Sequence, residues 1–214
     1  MPYTYEYPRP CVTADALVFR FAGGRLEILL IKRNHYPFEG MWALPGGFVD
    51  MDEPVETAAA RELSEEAGLG GIELRQLGAY GRPGRDPRAR IIAVAYYGFA
   101  PPPLQAARMG PGNWGVRAGD DARDARWFSL IRLPKTAFDH DVIIGDAVAA
   151  IRRAACFGLE HCKMLGRTFS RDDFLALHLR IFGGGYDVEG LLDGLLERGD
   201  VRPCGRGGYA LKKS

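Results

Sequence analysis

The chain has 214 residues, 47% hydrophobic and 26% charged, with 28 basic against 27 acidic side chains for a formal net charge of +1. That is globular composition, and the length allows one large domain or a medium domain with a small one. The near-zero charge excludes a global electrostatic pull toward nucleic acid or an anionic membrane. The longest apolar stretch, Ile91–Ala100, is too short to span a bilayer. The opening MPYTYEYPRP lacks the basic end and apolar run of a secretory signal, so a cytoplasmic location is expected.

In chain order, Val12–Phe21 and Arg25–Lys32 read as strands joined at Gly23-Gly24, the turn of a hairpin. The loop HYPFEGMWALPGGF follows, tightest at Pro45–Gly47. A helix is entered at Pro54 and closed by Gly68, proline just inside the start and glycine just past the end. Ile72–Tyr80 and Arg90–Phe99 are two further strands around a basic loop, GRPGRDPRA. Pro101–Gly119 is a connection without periodicity, Arg123–Phe128 a short strand, and Asp139–Arg153 a second helix with an apolar stripe of Val142, Ile143, Val148 and Ile151.

From about Phe157 the character changes. Ser170–Phe182 opens with Ser170 and Asp173 in capping-box order and reads as a helix. Gly183–Gly185 breaks the chain, Asp187–Arg198 is another helix, and Val201–Lys212 a hairpin turning at Gly205–Gly208. Four cysteines, Cys11, Cys156, Cys162 and Cys204, show no CxxC pair and read as free thiols. Cys156, His161 and Cys162 are close enough to suggest zinc. No matching fourth ligand stands at familiar spacing, so none is assigned.

The segment Gly47–Leu69, GFVDMDEPVETAAARELSEEAGL, carries the chemistry. At roughly 100° per residue on a helix, Glu62, Glu65 and Glu66 fall within an arc of about 100°. Like charges at these spacings repel, and they lie toward the helix C-terminus, the unfavourable end of the macrodipole for anions. A hard divalent cation would compensate them, since Mg²⁺ takes oxygen ligands and shares them with phosphates. The competing reading is a solvated face with Arg61 pairing Glu65 at i,i+4. Glu53 stands at the helix's N-terminal end, where a carboxylate accepts free backbone N–H groups.

This segment resembles the Nudix box at every defined position: Gly47, Glu53, Arg61-Glu62-Leu63, Glu65-Glu66 and Gly68-Leu69 at the family's gaps. The resemblance implies a Nudix α/β/α sandwich with a mixed sheet over residues 1–155, and the later helix, turn, helix and hairpin resemble a winged-helix-like domain over 156–214, an α+β chain in all. It implies Mg²⁺, with Mn²⁺ able to substitute, held by Glu62, Glu65, Glu66 and the Gly46 carbonyl. Arg61 would orient a box carboxylate, Glu53 would anchor the loop or act as an outer-sphere ligand, and Leu63 and Leu69 would be core. The activity implied is attack of water on a pyrophosphate, with Glu66 or Glu65 as first choice for the base and Asp120 or Asp121 as the outside candidate.

For the substrate, Arg82, Arg85, Arg88 and Arg90 crowd the basic loop, and arginine forks suit phosphate oxygens and flat rings. Composition alone equally allows a solvated loop. The strings PGRDPRARIIAVAY and AGDDARDARWF (Ala118–Phe128) resemble ADP-ribose pyrophosphatases, which implies ADP-ribose as substrate, with Arg33, Phe48, Arg82, Arg85 and Arg88 as binding residues and a homodimer as the assembly. Lys32 also brackets the loop, Trp42 and Trp127 read as core, and His140 as a capping or hydrogen-bonded residue before a base. A Nudix domain with a winged helix also resembles ADP-ribose-sensing repressors of NAD metabolism. Against DNA binding, Asp187–Arg198 carries Asp187, Glu189, Asp193 and Glu197 against Arg198 alone, 1 − 4 = −3. Arg202, Arg206, Lys212 and Lys213 restore some basic character to the hairpin.

Overall fold

The structure is a computed structural model that describes residues 4–102, 122–205 and 207–212. Asp120, Asp121, Arg206, Lys213 and most of the 101–119 connection lie outside the described residues.

The first half builds a seven-stranded mixed sheet. Its centre is β1 (Cys11–Ala22), antiparallel to β2 (Arg25–Arg33) and parallel to β6 (Ile91–Phe99). Gly23 and Gly24 turn the hairpin with φ of 56° and 71°, the double left-handed geometry that a two-residue hairpin loop demands. β2 also pairs β3 (Trp42–Ala43) and β7 (Ala122–Ser129), β4 (Gly46–Phe48) pairs β1, and β5 (Arg75–Tyr80) closes the far edge against β6.

Alternation along the central strands explains the layers. Leu17, Phe19 and Phe21 with Ile28 and Leu30 join a cluster containing Ile143, Ile144, Ala147 and Ile151 of α2 (His140–Ala155). Ala16, Val18, Leu29 and Ile31 join Leu63 and Ala67 of α1 (Val55–Ala67) on the opposite face. With side chains pointing alternately up and down, each helix covers one face. This is the expected α/β/α sandwich.

Three details depart from the sequence reading. The α2 stripe is Ile143, Ile144, Ala147 and Ile151, while Val142 is 55% exposed and Val148 only partly buried. Helical spacing carries a face from 143 to 144, 147 and 151 and turns 142 outward. The strand expected from Ile72 begins only at Arg75. Ile72 and Leu74 pack against the core, and their approach to Gly98 is so close that a Cβ there would lie 2.6 Å from the Glu73 carbonyl. Their apolar character records burial without pairing. Pro54 occupies the cap itself, and Val55 is the first helical residue of α1.

Beyond α2 a 3₁₀ helix (Glu160–Leu165) leads into β8 (Thr168–Ser170), a short strand absent from the sequence reading. Next come α3 (Arg171–Phe182), α4 (Val188–Glu197), β9 (Val201–Cys204) and β10 (Gly208–Leu211). Ser170 caps α3 by accepting from the Asp173 N–H at 3.0 Å, and Asp187 caps α4 through the Gly190 N–H at 2.9 Å. The strands form a separate antiparallel sheet in the order β8-β10-β9. Phe174, Leu177, Ile181, Leu192 and Leu195 share the apolar cluster of α2 and β1. Arg180 donates to the Gly24 carbonyl at 3.0 Å and Arg152 to the Ile181 carbonyl at 2.6 Å, stitching this segment to the first half. Among the described residues no helix is long and apolar enough to cross a membrane.

Candidate active site

The box helix presents its carboxylates to β4. Gly68 ends α1 with φ 66°, and the Leu69 N–H reaches back to the Leu63 carbonyl at 3.4 Å, a 6→1 bond of the glycine-ended type. Leu63 and Leu69 are buried as expected and set the rotation of the helix, so that Glu62 and Glu66 face Gly46 and Gly47. Glu66 accepts the Gly46 N–H at 2.8 Å. A Cβ on Gly47 would collide with the Glu62 carboxylate, and one on Gly46 would lie 2.5 Å from Asp15 Oδ1 and 2.7 Å from the Ala14 carbonyl. Both glycines are needed because backbone and carboxylates occupy the space of side chains.

Arg61 is the hub of this face. It donates to Glu53 at 2.7 and 3.1 Å, to Glu62 at 2.8 Å, to Glu65 at 3.0 Å and to the Phe48 carbonyl at 3.1 Å. Glu53, which also accepts the Asp50 N–H at 3.0 Å, is held below the usual carboxylate range by Arg61. The i,i+4 pair with Glu65 therefore exists, but as one spoke of a larger anchor. Glu65 is the most exposed box carboxylate of the set.

One guanidinium cannot neutralise Glu53, Glu62, Glu65 and Glu66 together. Burial raises Glu62 above its ordinary range, and drives Glu66 up to about 8 against the lowering effect of the Gly46 N–H. Beside them Asp15, buried in mid-β1, is pushed up to about 7 by desolvation. Desolvation makes these carboxylates costly to ionise, a nearby cation would lower them again, and the donor set is all oxygen. A hard divalent ion fits both facts. Glu62 and Glu66 face the Gly46-Gly47 strand, while Glu65 is exposed and turned to Arg61. The Gly46 amide, tied to Glu66, fixes the strand that carries the Gly46 carbonyl.

Across β4 the substrate candidates partly converge. A small cavity, about 70 Å³, is lined by Arg33, Phe48, Arg85 and Arg88 together with Asp15, Phe138 and His140. Arg85 forms a fork on Asp139 at 2.7–3.1 Å and Arg88 a fork on buried Asp86 at 2.7–3.3 Å. Arg88 lies 5.2 Å from the Phe48 ring centre and 5.8 Å from that of Phe138, and Arg33 4.9 Å from Phe138. Arg33 also donates to the Pro37 carbonyl at 2.7 Å, and burial, with Arg88 nearby, holds its pKa down. Arg82 is exposed and outside this cavity. His140 is buried, accepts the Leu44 N–H at 2.9 Å through Nδ1, and is held neutral, its pKa pushed down to about 3 by desolvation. It is a hydrogen-bonded residue, as its setting suggested.

Sequence reasoning missed Asp15, Phe138, Asp86 and Asp139. An aspartate within the apolar run CVTADALVFRFA was a readable signal, because a buried strand excludes charge without cause. Phe138 gave no such signal. It adopts φ 54° and meets Phe38, φ 62°, edge-on at 4.9 Å. Left-handed backbone at two bulky residues is strained and concentrates at ligand sites. A larger cavity of about 690 Å³ opens elsewhere, between β5–β6 and the C-terminal hairpin, away from these carboxylates.

A mixed sheet between two helices, with clustered carboxylates turned onto a Gly-Gly strand, defines a class, and comparison with known proteins agrees. Residues 9–146 match the NUDIX domain, and the chain belongs to that family, whose hydrolases generally use divalent metal ions. It is similar to an ADP-ribose pyrophosphatase of Methanocaldococcus jannaschii, 41% identical over 140 residues, 65% of this chain and 74% of the relative. It is also similar to the ADPR responsive transcriptional repressor NtrR of Acinetobacter baylyi, 26% identical over 97% of this chain and 81% of that protein. Among solved structures, a MutT/nudix family protein from Enterococcus faecalis superposes with a TM-score of 0.84 at 26% identity, covering 99% of this chain and 90% of that one.

Proposed function

We propose that the chain uses Mg²⁺, with Mn²⁺ able to substitute, to hydrolyse ADP-ribose to AMP and ribose 5-phosphate. The observation that carries this reading is that β4 is a wall common to two sites. Gly46 and Gly47 touch Glu66 and Glu62, while the Phe48 carbonyl receives Arg61 and its ring faces Arg88. A diphosphate laid along that strand would meet carboxylate-held metal on one side and arginines and rings on the other.

Glu62, Glu65, Glu66 and the Gly46 carbonyl would hold the ion. When bound it supplies charge neutralisation at phosphate oxygens and a more acidic water. The arginine forks commit Nε and Nη2 to Asp139 and Asp86, and Arg88, the more exposed of the two, would turn Nη1 to a phosphate oxygen in a fixed direction. Phe48 and Phe138 offer flat faces for the adenine. Glu66, buried and ready to take a proton, is the first choice for the base. Arg61 is a positioning residue. The similarity to the Methanocaldococcus pyrophosphatase supports the substrate. The test is a screen of ADP-ribose, NADH, diadenosine polyphosphates, sugar nucleotides and nucleoside triphosphates with Mg²⁺. ADP-ribose should be cleaved fastest, and cleavage of triphosphates with ADP-ribose untouched would refute the substrate.

A second reading, ADP-ribose-responsive DNA binding, is favoured by one observation. Beyond α2 the described elements run β8-α3-α4-β9-β10, an order that suits a winged-helix reading, and the Acinetobacter repressor is similar over nearly the whole chain. The division at residue 155 belongs to this proposal. Against it, α4 stays acidic, and Arg171 of α3 approaches Glu189 and Asp193 only at 3.7 and 4.0 Å. We place the enzyme first, cytoplasmic and homodimeric, with the C-terminal segment in dimerisation or pocket shaping. Gel shifts on the chain's own upstream DNA, with and without ADP-ribose, separate the two. Salt-sensitive binding released by ADP-ribose would favour the repressor.

A further inference from the structure

Away from the carboxylates, His161, Cys162 and His178 bring three ligand atoms within 4.8 Å of one another, all buried. His161 and Cys162 come from the 3₁₀ helix, and His178 from α3. The proton positions follow from the partners. His178 Nδ1 lies 2.8 Å from the Phe174 carbonyl one turn earlier, and a carbonyl only accepts, so Nδ1 carries the proton. Nε2 of His178 is then a bare lone pair. His161 Nε2, 2.8 Å away, must donate to it. Cys162 Sγ lies 3.5 Å from the same His161 nitrogen.

An imidazole whose outer N–H is anchored on a carbonyl and whose inner nitrogen is bare is the arrangement metal-ligating histidines use. The spacing is close to what an ion requires. With metal–nitrogen bonds of about 2.0–2.1 Å and a metal–sulfur bond of about 2.3 Å, a tetrahedral centre separates sulfur from nitrogen by roughly 3.5 Å, the distance found between Cys162 and His161. It separates two nitrogens by roughly 3.4 Å, so the two rings need part by only about half an ångström. Burial keeps both imidazoles neutral, with lone pairs available, their pKa values pushed down to about 3 and about 4. It also pushes the Cys162 thiol up to about 12, so nothing but a bound cation would ionise it.

We propose that His161, Cys162 and His178 form a site for one thiophilic d¹⁰ cation, zinc or cuprous copper, that locks the 160–165 turn to α3. Two imidazoles and a thiolate are too soft a set for Mg²⁺, so this site and the carboxylate patch would hold different ions. Three ligands suit cuprous copper as they stand, and zinc with one small further ligand. Binding is balanced by loss of the thiol proton to solvent and transfer of the His161 proton from Nε2 to Nδ1. Cys156, the neighbour that the sequence suggested, is exposed and bonds the Arg152 carbonyl at 3.4 Å. His178 takes its place.

The test uses the full chain with excess Mg²⁺ to fill the carboxylate patch. Elemental analysis of protein purified without chelator should find about one equivalent of zinc or copper. After stripping, Co²⁺ should produce a thiolate-to-cobalt charge-transfer band, and Zn²⁺ or chelator-buffered Cu⁺ should abolish it and raise the melting temperature. Cys162→Ala should lose the band and the melting shift, with His178→Gln as a second variant should the first unfold. A folded wild type that retains neither metal and gives no band overturns the proposal. So does a band that persists in folded Cys162→Ala, since it would come from other thiols.

Discussion

The molecule holds two buried polar clusters, and they solve the same problem differently. On α1, Glu62 and Glu66 stand near a guanidinium hub and a glycine strand, and burial raises the pKa of both. Beneath α3, Cys162 lies in the apolar cluster of α2 and β1, and His161 and His178, buried beside it, remain neutral and tied by ring nitrogens. The first lies beside a cavity and, on the proposed function, would gain a hard cation. The second is sealed, and a softer ion would serve only to fasten two elements. The difference teaches that an unbalanced charge at the surface of a core marks chemistry, while balanced polarity inside it marks construction.

The comparison breaks first at Glu66. Glu66→Gln preserves shape and the Gly46 bond but removes charge, so kcat should fall at least about 100-fold while the circular-dichroism melting temperature should not fall. Turnover within a fewfold of wild type would show that other groups hold the metal. Gly47→Ala should cost about 10- to 100-fold, because its methyl displaces Glu62, and the Mn²⁺ concentration for half-maximal rate should rise with it. Arg88→Ala should raise KM about tenfold, whereas exposed Arg82→Ala should leave KM within about twofold. Equal effects from the two would mean that the cavity is not the phosphate subsite.

A separate effect concerns stability and pH. Asp15 has a folded pKa of about 7 against 3.8 unfolded. Below about pH 4 the group is protonated in both states and contributes nothing. As pH rises toward 7 the unfolded chain releases its proton while the fold retains it, so stability is lost across that window. Asp15→Asn should therefore stabilise the metal-free protein at pH 8, by roughly 4 kcal/mol as an upper bound, and the gain should vanish at pH 4. Urea midpoints at the two pH values decide it. Equal gain at both would assign the effect to packing.

How much of this was legible follows from sequence distance. The i, i+3, i+4 spacing of Glu62, Glu65 and Glu66 fixes their face within one helix, and Pro54 and Gly68 mark where that helix begins and ends, so the box was readable. The alternating run of β1 and β2 gave the central hairpin. Arg61 was readable as a partner of Glu65, but not as the anchor of Glu53 and Phe48, because only the fold of the 48–53 turn brings those together. Phe138 joins Arg88, and Asp139 joins Arg85 54 residues away, pairings no local pattern encodes. His178 is likewise remote from Cys162, so the cysteine spacing pointed to Cys156 instead.

The central claim is that the α1 carboxylates grip a divalent ion against a diphosphate. Electron paramagnetic resonance of Mn²⁺ titrated into wild type and Glu62→Gln/Glu66→Gln, with and without the non-hydrolysable α,β-methylene analogue of ADP-ribose, tests it directly. Wild type should immobilise Mn²⁺, more tightly with the analogue, and the double variant should leave it free. Equal Mn²⁺ binding by both proteins, or none by wild type even with the analogue, would contradict it.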